Sequence, residues 1–241
     1  MKATRTFSTI LAITFLYSLP AVSQNWGSGI SGTGPKVTQD LDLANFDGIA
    51  LSISANVYLK QGNTQSVKIE AQQNIIDNLE RNVRDGVWKI TFDRNVRKHD
   101  GVKIWITVPD LRKVAISGSG NVTGENKFAN LKNLELSISG SGNLSLDADS
   151  KSLSLAISGS GNAKLKGSTE TCDMRISGSG DISAFDLEAI TCTVKITGSG
   201  DSSVNVSESL EVSIVGSGDV YYKGRPSVRS KITGSGDVKS K

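Results

Sequence analysis

Ile138-Ser139-Gly140-Ser141-Gly142-Asn143 decides the fold, because the same six-residue pattern returns along the whole second half of the chain. Close copies begin at Ile116, Ile138, Ile157, Ile176, Ile196, Ile214 and Ile232, at spacings of 22, 19, 19, 20, 18 and 18 residues. A period of about 20 residues is the signature of a solenoid that stacks one supersecondary unit per repeat. The residues leading into each copy identify the unit. Leu134, Leu136 and Ile138 share one parity, as do Leu153, Leu155 and Ile157, then Cys172, Met174 and Ile176, then Leu210, Val212 and Ile214. That is a strand with one buried face, and no repeat has room for a helix of ten or more residues. Residues after the motif alternate in the same way, as at Leu144 and Leu146 or Ile182 and Ala184. Short strands and tight corners in a coil of 18–22 residues define an all-β protein, a parallel β-helix whose coils stack about 4.8 Å apart.

If strand alternation carries through the motif, Ile points inward, both serines outward, both glycines inward and Asn or Asp outward. Fourteen of the 25 glycines belong to these corners, where the lack of a Cβ permits a bend or a close backbone approach. Outside, the register writes columns. Ser117, Ser139, Ser158, Ser177, Thr197, Val215 and Thr233 form one. Ser119, Ser141, Ser160, Ser179, Ser199, Ser217 and Ser235 form a second with no exception. A third runs Asn121, Asn143, Asn162, Asp181, Asp201, Asp219 and Asp237. Two readings of the third column stand: turn capping with an amide ladder in the Asn half, or calcium held by the Asp half.

Cys172 and Cys192 fall on equivalent positions of successive coils, four residues before Ile176 and Ile196. Stacking places their Cα atoms about one strand spacing apart, which predicts a Cys172–Cys192 disulfide in an exported protein. Two buried thiols acting as small hydrophobes are the alternative.

Ahead of the repeats the texture changes. Gly48 to Lys60, Ser66 to Ala71, Val87 to Phe92 and Val102 to Val108 read as strands, with a helical turn within Gln73 to Glu80. Ile53-Ser54-Ala55-Asn56-Val57 is a degenerate corner motif. Residues 41–110 are therefore expected to be irregular opening coils that cap the regular repeats of 111–241; a separate small β-domain is the second choice. Residues 24–40, rich in Gly, Ser and Thr, read as a flexible leader. Residues 1–23 have a basic start, an apolar run from Phe7 to Leu19 and small residues at Ala21-Val22-Ser23, the layout of a secretory signal peptide. The expectation is an exported protein, in the periplasm, on the outer surface or secreted. The apolar run falls short of the roughly 20 residues that span a bilayer, so cleavage near Gln24 is expected over an uncleaved anchor, and no transmembrane segment is expected in the mature chain.

Composition then excludes chemistries. Two Cys and one His, His99, cannot build a disulfide-dense scaffold, a four-thiolate zinc site or a multi-His metal centre. The net charge of +3 falls to +1 without residues 1–23, which hold Lys2, Arg5 and no acidic group, so nucleic acid is not an expected partner. The basic stretch Arg94 to Lys98 reads as a solvated loop tip.

Phe46-Asp47-Gly48-Ile49, Ala55-Asn56-Val57, Val67-Lys68-Ile69-Glu70-Ala71, Asn74-Ile75-Ile76, Asp85-Gly86, Val108-Pro109-Asp110-Leu111 and the repeated Ser-Gly-Ser-Gly-Asn/Asp together resemble the bacterial putative auto-transporter adhesin, head GIN domain family, over residues 40–238. The resemblance implies a right-handed parallel β-helix, an envelope or surface location and an adhesion role without catalytic residues or cofactor. Three function classes follow. The first is a non-catalytic recognition module that presents the serine columns, with Asp181, Asp201 and Asp219, to a glycan or a surface protein. The second is a structural or calcium-binding solenoid that assembles end to end, with the oligomeric state left open. A polysaccharide-active enzyme is the third; it would need acid and base groups converging in a groove.

Overall fold

The structure, a computed structural model, describes residues 29–241. The expected signal peptide and the first residues of the leader lie outside this range. The first part of the chain holds β1 (Ile30–Ser31), β2 (Lys36–Asp40), β3 (Gly48–Leu51), β4 (Asn56–Gln61), β5 (Ser66–Gln72), α1 (Gln73–Ile76), β6 (Val83–Arg84), β7 (Val87–Ile90), β8 (Val96–Lys98) and β9 (Lys103–Val108). The repeats form β10 (Lys113–Gly118), β11 (Asn121–Gly124), β12 (Phe128–Gly140), β13 (Asn143–Gly159), β14 (Asn162–Gly178), β15 (Ile182–Gly198), β16 (Ser202–Gly216), β17 (Val220–Lys223), β18 (Ser227–Gly234) and β19 (Val238–Ser240).

Every strand pair from β10 to β19 is parallel and joins equivalent residues of successive coils. Ile116, Ile138, Ile157, Ile176, Ile196, Ile214 and Ile232 therefore stand directly over one another. So do Val122, Leu144, Ala163, Ile182, Ser202 and Val220 on the strand after the corner. The molecule is a parallel β-solenoid of about seven turns. Its core is continuous, from Ile49 through Leu136, Leu155, Met174 and Val194 to Ile214. Each fully buried Ile or Leu contributes about 1.5–3 kcal/mol against exposure, and in-register stacking repeats that gain once per coil.

The two corner glycines do different jobs. The first, Gly118, Gly140, Gly159, Gly178, Gly198, Gly216 or Gly234, has a positive φ between 109° and 133°. It is half-buried or exposed, so it breaks strand alternation instead of pointing into the core as parity predicted. The second is buried in every coil, and a Cβ on Gly142 would lie 2.6 Å from Ile116 Cγ2 and against the Gly120 carbonyl oxygen. One glycine turns the chain; the other lets the coils close up.

Residues 41–110 supply opening coils, stacked out of sequence order. β3 pairs with β7 on one side and β10 on the other, and β4 pairs with β9 and β11. The later segment β7–β9 thus lies outside the earlier one, and the chain returns across it through Pro109 to Arg112. Trp88, Ile75 and Ile76, all fully buried, fill this end. The expected leader is structured where it is described: β2 runs antiparallel to β5, and β1 pairs with β8. Side chains hold it there, since Asn74 Nδ2 donates to the Ser31 carbonyl at 2.8 Å and Gln72 Nε2 to that of Gly34 at 3.2 Å. β8 also places Val96–Lys98 of the expected loop tip in a strand. At the opposite end β18 is uncovered, with Val228 38% and Ile232 40% exposed.

Candidate functional site

The corner is the most regular surface of the molecule. Backbone N–H groups of Ser141, Ser160, Ser179, Ser199, Ser217 and Ser235 each donate to the first corner glycine of the preceding coil at 2.9 Å. This ladder fixes the second serine column rigidly, and all seven of its members, Ser119 included, are exposed. The first column is interrupted by Val215, 50% exposed. A shallow concavity of about 440 Å³ runs along it, lined by Ser139, Ser158, Ser177 and Thr197 with Arg175 and Lys195. Arg175 is committed locally, bidentate to Asp173 at 2.8 and 2.9 Å.

The third column divides into two hydrogen-bonding regimes. In the Asn half the side-chain amides form a ladder: Asn121 Nδ2 to Asn56 Oδ1 at 3.0 Å, Asn143 to Asn121 at 2.9 Å and Asn162 to Asn143 at 3.2 Å. Asp181 N–H then donates to Asn162 Oδ1 at 3.2 Å. From there a carboxylate oxygen accepts the backbone N–H of the next Asp, at 2.9 Å for Asp201, 2.7 Å for Asp219 and 2.8 Å for Asp237. A carboxylate cannot donate, so the ladder changes from side chain–side chain to side chain–backbone where Asn gives way to Asp. Asp219 is held most firmly: the Tyr221 hydroxyl at 2.9 Å, the Asp237 N–H and Lys239 at 3.2 Å keep its carboxyl below the usual range. Side-chain oxygens thus cap backbone N–H groups from Asn162 to Asp219, while the earlier Asn members form an amide ladder. Among the described residues no group of three or more His, Cys, Asp or Glu side chains is arranged to hold a metal ion.

Cys172 and Cys192 are direct partners on β14 and β15, both buried, and both are free thiols in place of the expected disulfide. Parallel in-register strands keep the two Cα–Cβ bonds parallel, so the Cβ atoms stay about 4.8 Å apart. A disulfide needs about 3.5–4.5 Å. The Cys172 thiol is pushed well up by its neighbour Cys192 and by burial, which makes it unreactive.

A larger groove, about 690 Å³, follows the bend opposite the glycine corner, where β12 to β16 fold round at Leu131, Ser150, Thr169 and Ala189. Lys132, Lys151, Asp149, Glu170 and Glu188 line it beside Ile190, which is 41% exposed. Asp149 is bound by Lys127 at 2.8 Å and by the Ser168 hydroxyl at 2.8 Å, and its carboxyl is held low by that lysine. It stays ionised and is not a proton donor in the manner of a raised catalytic acid. His99 is similarly occupied, its Nδ1 accepting the Gly101 N–H at 3.0 Å.

A parallel β-solenoid with a rigid polar corner defines the class of a surface-presenting, adhesin-like module. Residues 45–226 match the family described as putative auto-transporter adhesin, head GIN domain, and the chain belongs to that family. No curated protein matches. Among solved structures, a putative adhesin from Bacteroides fragilis is 27% identical with a TM-score of 0.80, covering 88% of this chain and all of its own. A protein from Parabacteroides distasonis described as a putative lipid-binding protein is 26% identical with a TM-score of 0.75, covering 88% of this chain and 99% of its own. A putative adhesin from Parabacteroides merdae, 23% identical with a TM-score of 0.70, shares the fold, covering 88% and 99%. No helix among the described residues is long and apolar enough to cross a membrane.

Proposed function

We propose that this chain is an exported, non-catalytic recognition module that adheres through its glycine corner to a glycan or a surface protein. One observation carries the reading: seven exposed serines, Ser119 to Ser235, stand in one unbroken column on a backbone ladder of uniform 2.9 Å bonds from Ser141 onward. Such a column presents hydroxyls at strand spacing, about 4.8 Å, so many weak hydrogen bonds add without any loop having to be ordered first. Asp181 and Asp201 border it with their second carboxylate oxygens and extend the acceptor array, whereas that of Asp219 is taken by Tyr221 and Lys239. Family membership supports the adhesive role, and the apolar run at Phe7 to Leu19 supports export.

The test is to screen the mature protein on immobilised glycans and matrix proteins and to repeat the positive assay with Ser160→Trp, Ser179→Trp and Ser199→Trp combined. The expected outcome is loss of binding with an unchanged circular dichroism spectrum and melting temperature. Undiminished binding by the folded triple variant eliminates this face.

A further inference from the structure

A second recognition site lies away from the serine column, on the strand face that follows the corner. Strand parity creates it. Val57 and Leu59 are buried on β4, Ile104 and Ile106 on β9, so the residues between them, Tyr58 and Trp105, point outward. They are direct partners on parallel strands, and their rings stack with centroids 5.6 Å apart and planes 19° from parallel. In the five coils that follow, the same outward row is Thr123, Ser145, Lys164, Ser183 and Ser203, and an aromatic returns only at Tyr221 near the far end. The core therefore does not require aromatic rings in this row, and placing two there leaves apolar area in water.

Tyr58 supports the indole from the β4 side. From the indole, across β5 and β2, extends an open concavity of about 590 Å³ lined by Thr38, Asp40, Ser66, Lys68, Trp105 and Thr107. Lys68 stands opposite Trp105 and Asp40 opposite Lys68, while Ser66 faces Thr107. Three hydroxyls, a carboxylate and an ammonium thus surround one aromatic ring. Backbone groups of β5 and β9 are consumed by ladders on both sides, so an added peptide strand finds no partners over the indole. The polar rim and the open shape do not suit an acyl chain either, which needs an enclosed apolar lining.

From this arrangement we infer that Trp105, backed by Tyr58, is the stacking platform of a carbohydrate-binding site. The C–H face of one pyranose ring lies against the electron-rich face of the indole. Its hydroxyls are met by Thr38, Ser66, Thr107 and Asp40, and Lys68 adds affinity for an acidic sugar. The site does not depend on the serine column, so the two fail separately.

Cellohexaose, chitohexaose and hexagalacturonate are titrated into the mature protein while the indole N–H resonances are followed by NMR. Trp88 is buried and serves as the internal reference. The expected result is a saturable shift of the Trp105 resonance with at least one hexaose; affinity for that hexaose, read for every variant by titration calorimetry, is expected to be weakened at least about tenfold by Trp105→Ala and to stay within about threefold of normal in Trp105→Phe. Should Trp105→Ala fail to fold, Ser66→Arg fills the concavity from an exposed position and is expected to weaken binding equally. The triple tryptophan variant of the serine column is expected to leave the sugar shift unchanged. A Trp105 resonance that none of the three moves up to about 10 mM overturns the inference, as does calorimetric binding that survives undiminished in both Trp105→Ala and Ser66→Arg.

Discussion

The opening coils and the regular coils share one 17-stranded sheet but use opposite principles of construction. From β10 to β19 position in space follows position in sequence, like stacks on like, and the corner is closed by glycine. Between β3 and β9 the order is permuted, unlike residues meet, and the corner that would hold the second glycine holds Ala55. Large side chains, Trp88 and Phe46 among them, plug this end. A repeat needs identical neighbours so that every coil can be both floor and ceiling. An end needs a final layer that nothing has to match, and this one supplies it by folding a later segment outside an earlier one.

The contrast is broken most severely at the second corner glycine. In Gly180→Ala the new Cβ would meet Ile157 Cγ2 at 2.9 Å and press on the Gly161 carbonyl oxygen, which the stacked backbone cannot withdraw. The expected loss exceeds about 4 kcal/mol, read as a fall in the urea midpoint or as insoluble protein. Ala55→Gly, the reciprocal change in the opening coil, is expected to cost no more than about 1 kcal/mol. Equal effects would show that the two corners are built alike after all.

Next in size is the seam between the regions. Gln61 Nε2 donates to the carbonyls of Pro109 and Ala129 at 3.1 and 3.2 Å, and its Oε1 accepts the Ala129 N–H at 2.8 Å. Gln61→Ala leaves these groups without partners and is expected to cost about 2 kcal/mol. Amide exchange is expected to accelerate at 109–112 and 126–130 but not in β14 to β16. Acceleration along the whole solenoid would mean that the two regions unfold as one.

The smallest effect has the opposite sign. Ser202 occupies the inward column of Val122, Leu144, Ala163, Ile182 and Val220, is 1% exposed, and its hydroxyl has no hydrogen-bond partner. Ser202→Ala removes an unsatisfied polar group from the core and is expected to stabilise by about 1 kcal/mol, seen as a higher melting temperature.

The regular half was legible because its information is local and redundant. Seven copies of the motif fix both register and face, and any one strand predicts the next. The parity argument failed only at the first corner glycine, where a positive φ ends the strand. What could not be read was that β3 lies between β7 and β10, because no local pattern encodes stacking order. The groove opposite the corner was hidden because Ser150, Lys151 and Ser152 resemble ordinary outward strand residues. Cysteine spacing located a true contact, Cys172 beside Cys192 on neighbouring strands. Tyr58 and Trp105 carried a visible signal, aromatic residues at outward parity between buried isoleucine, valine and leucine.

The third corner column has a direction. Asn143 donates to Asn121, Asn162 to Asn143, Asp181 to Asn162, and Asp201, Asp219 and Asp237 each to the member before, so every bond in this series runs from a later coil to an earlier one. A chain made amino end first therefore always finds the acceptor already standing when the next donor arrives. The backbone beside this column runs the other way, from the N–H groups of Ala163, Ile182, Ser202 and Val220 to the carbonyls of Asp181, Asp201, Asp219 and Asp237, so each coil is tied to the next by bonds of both directions.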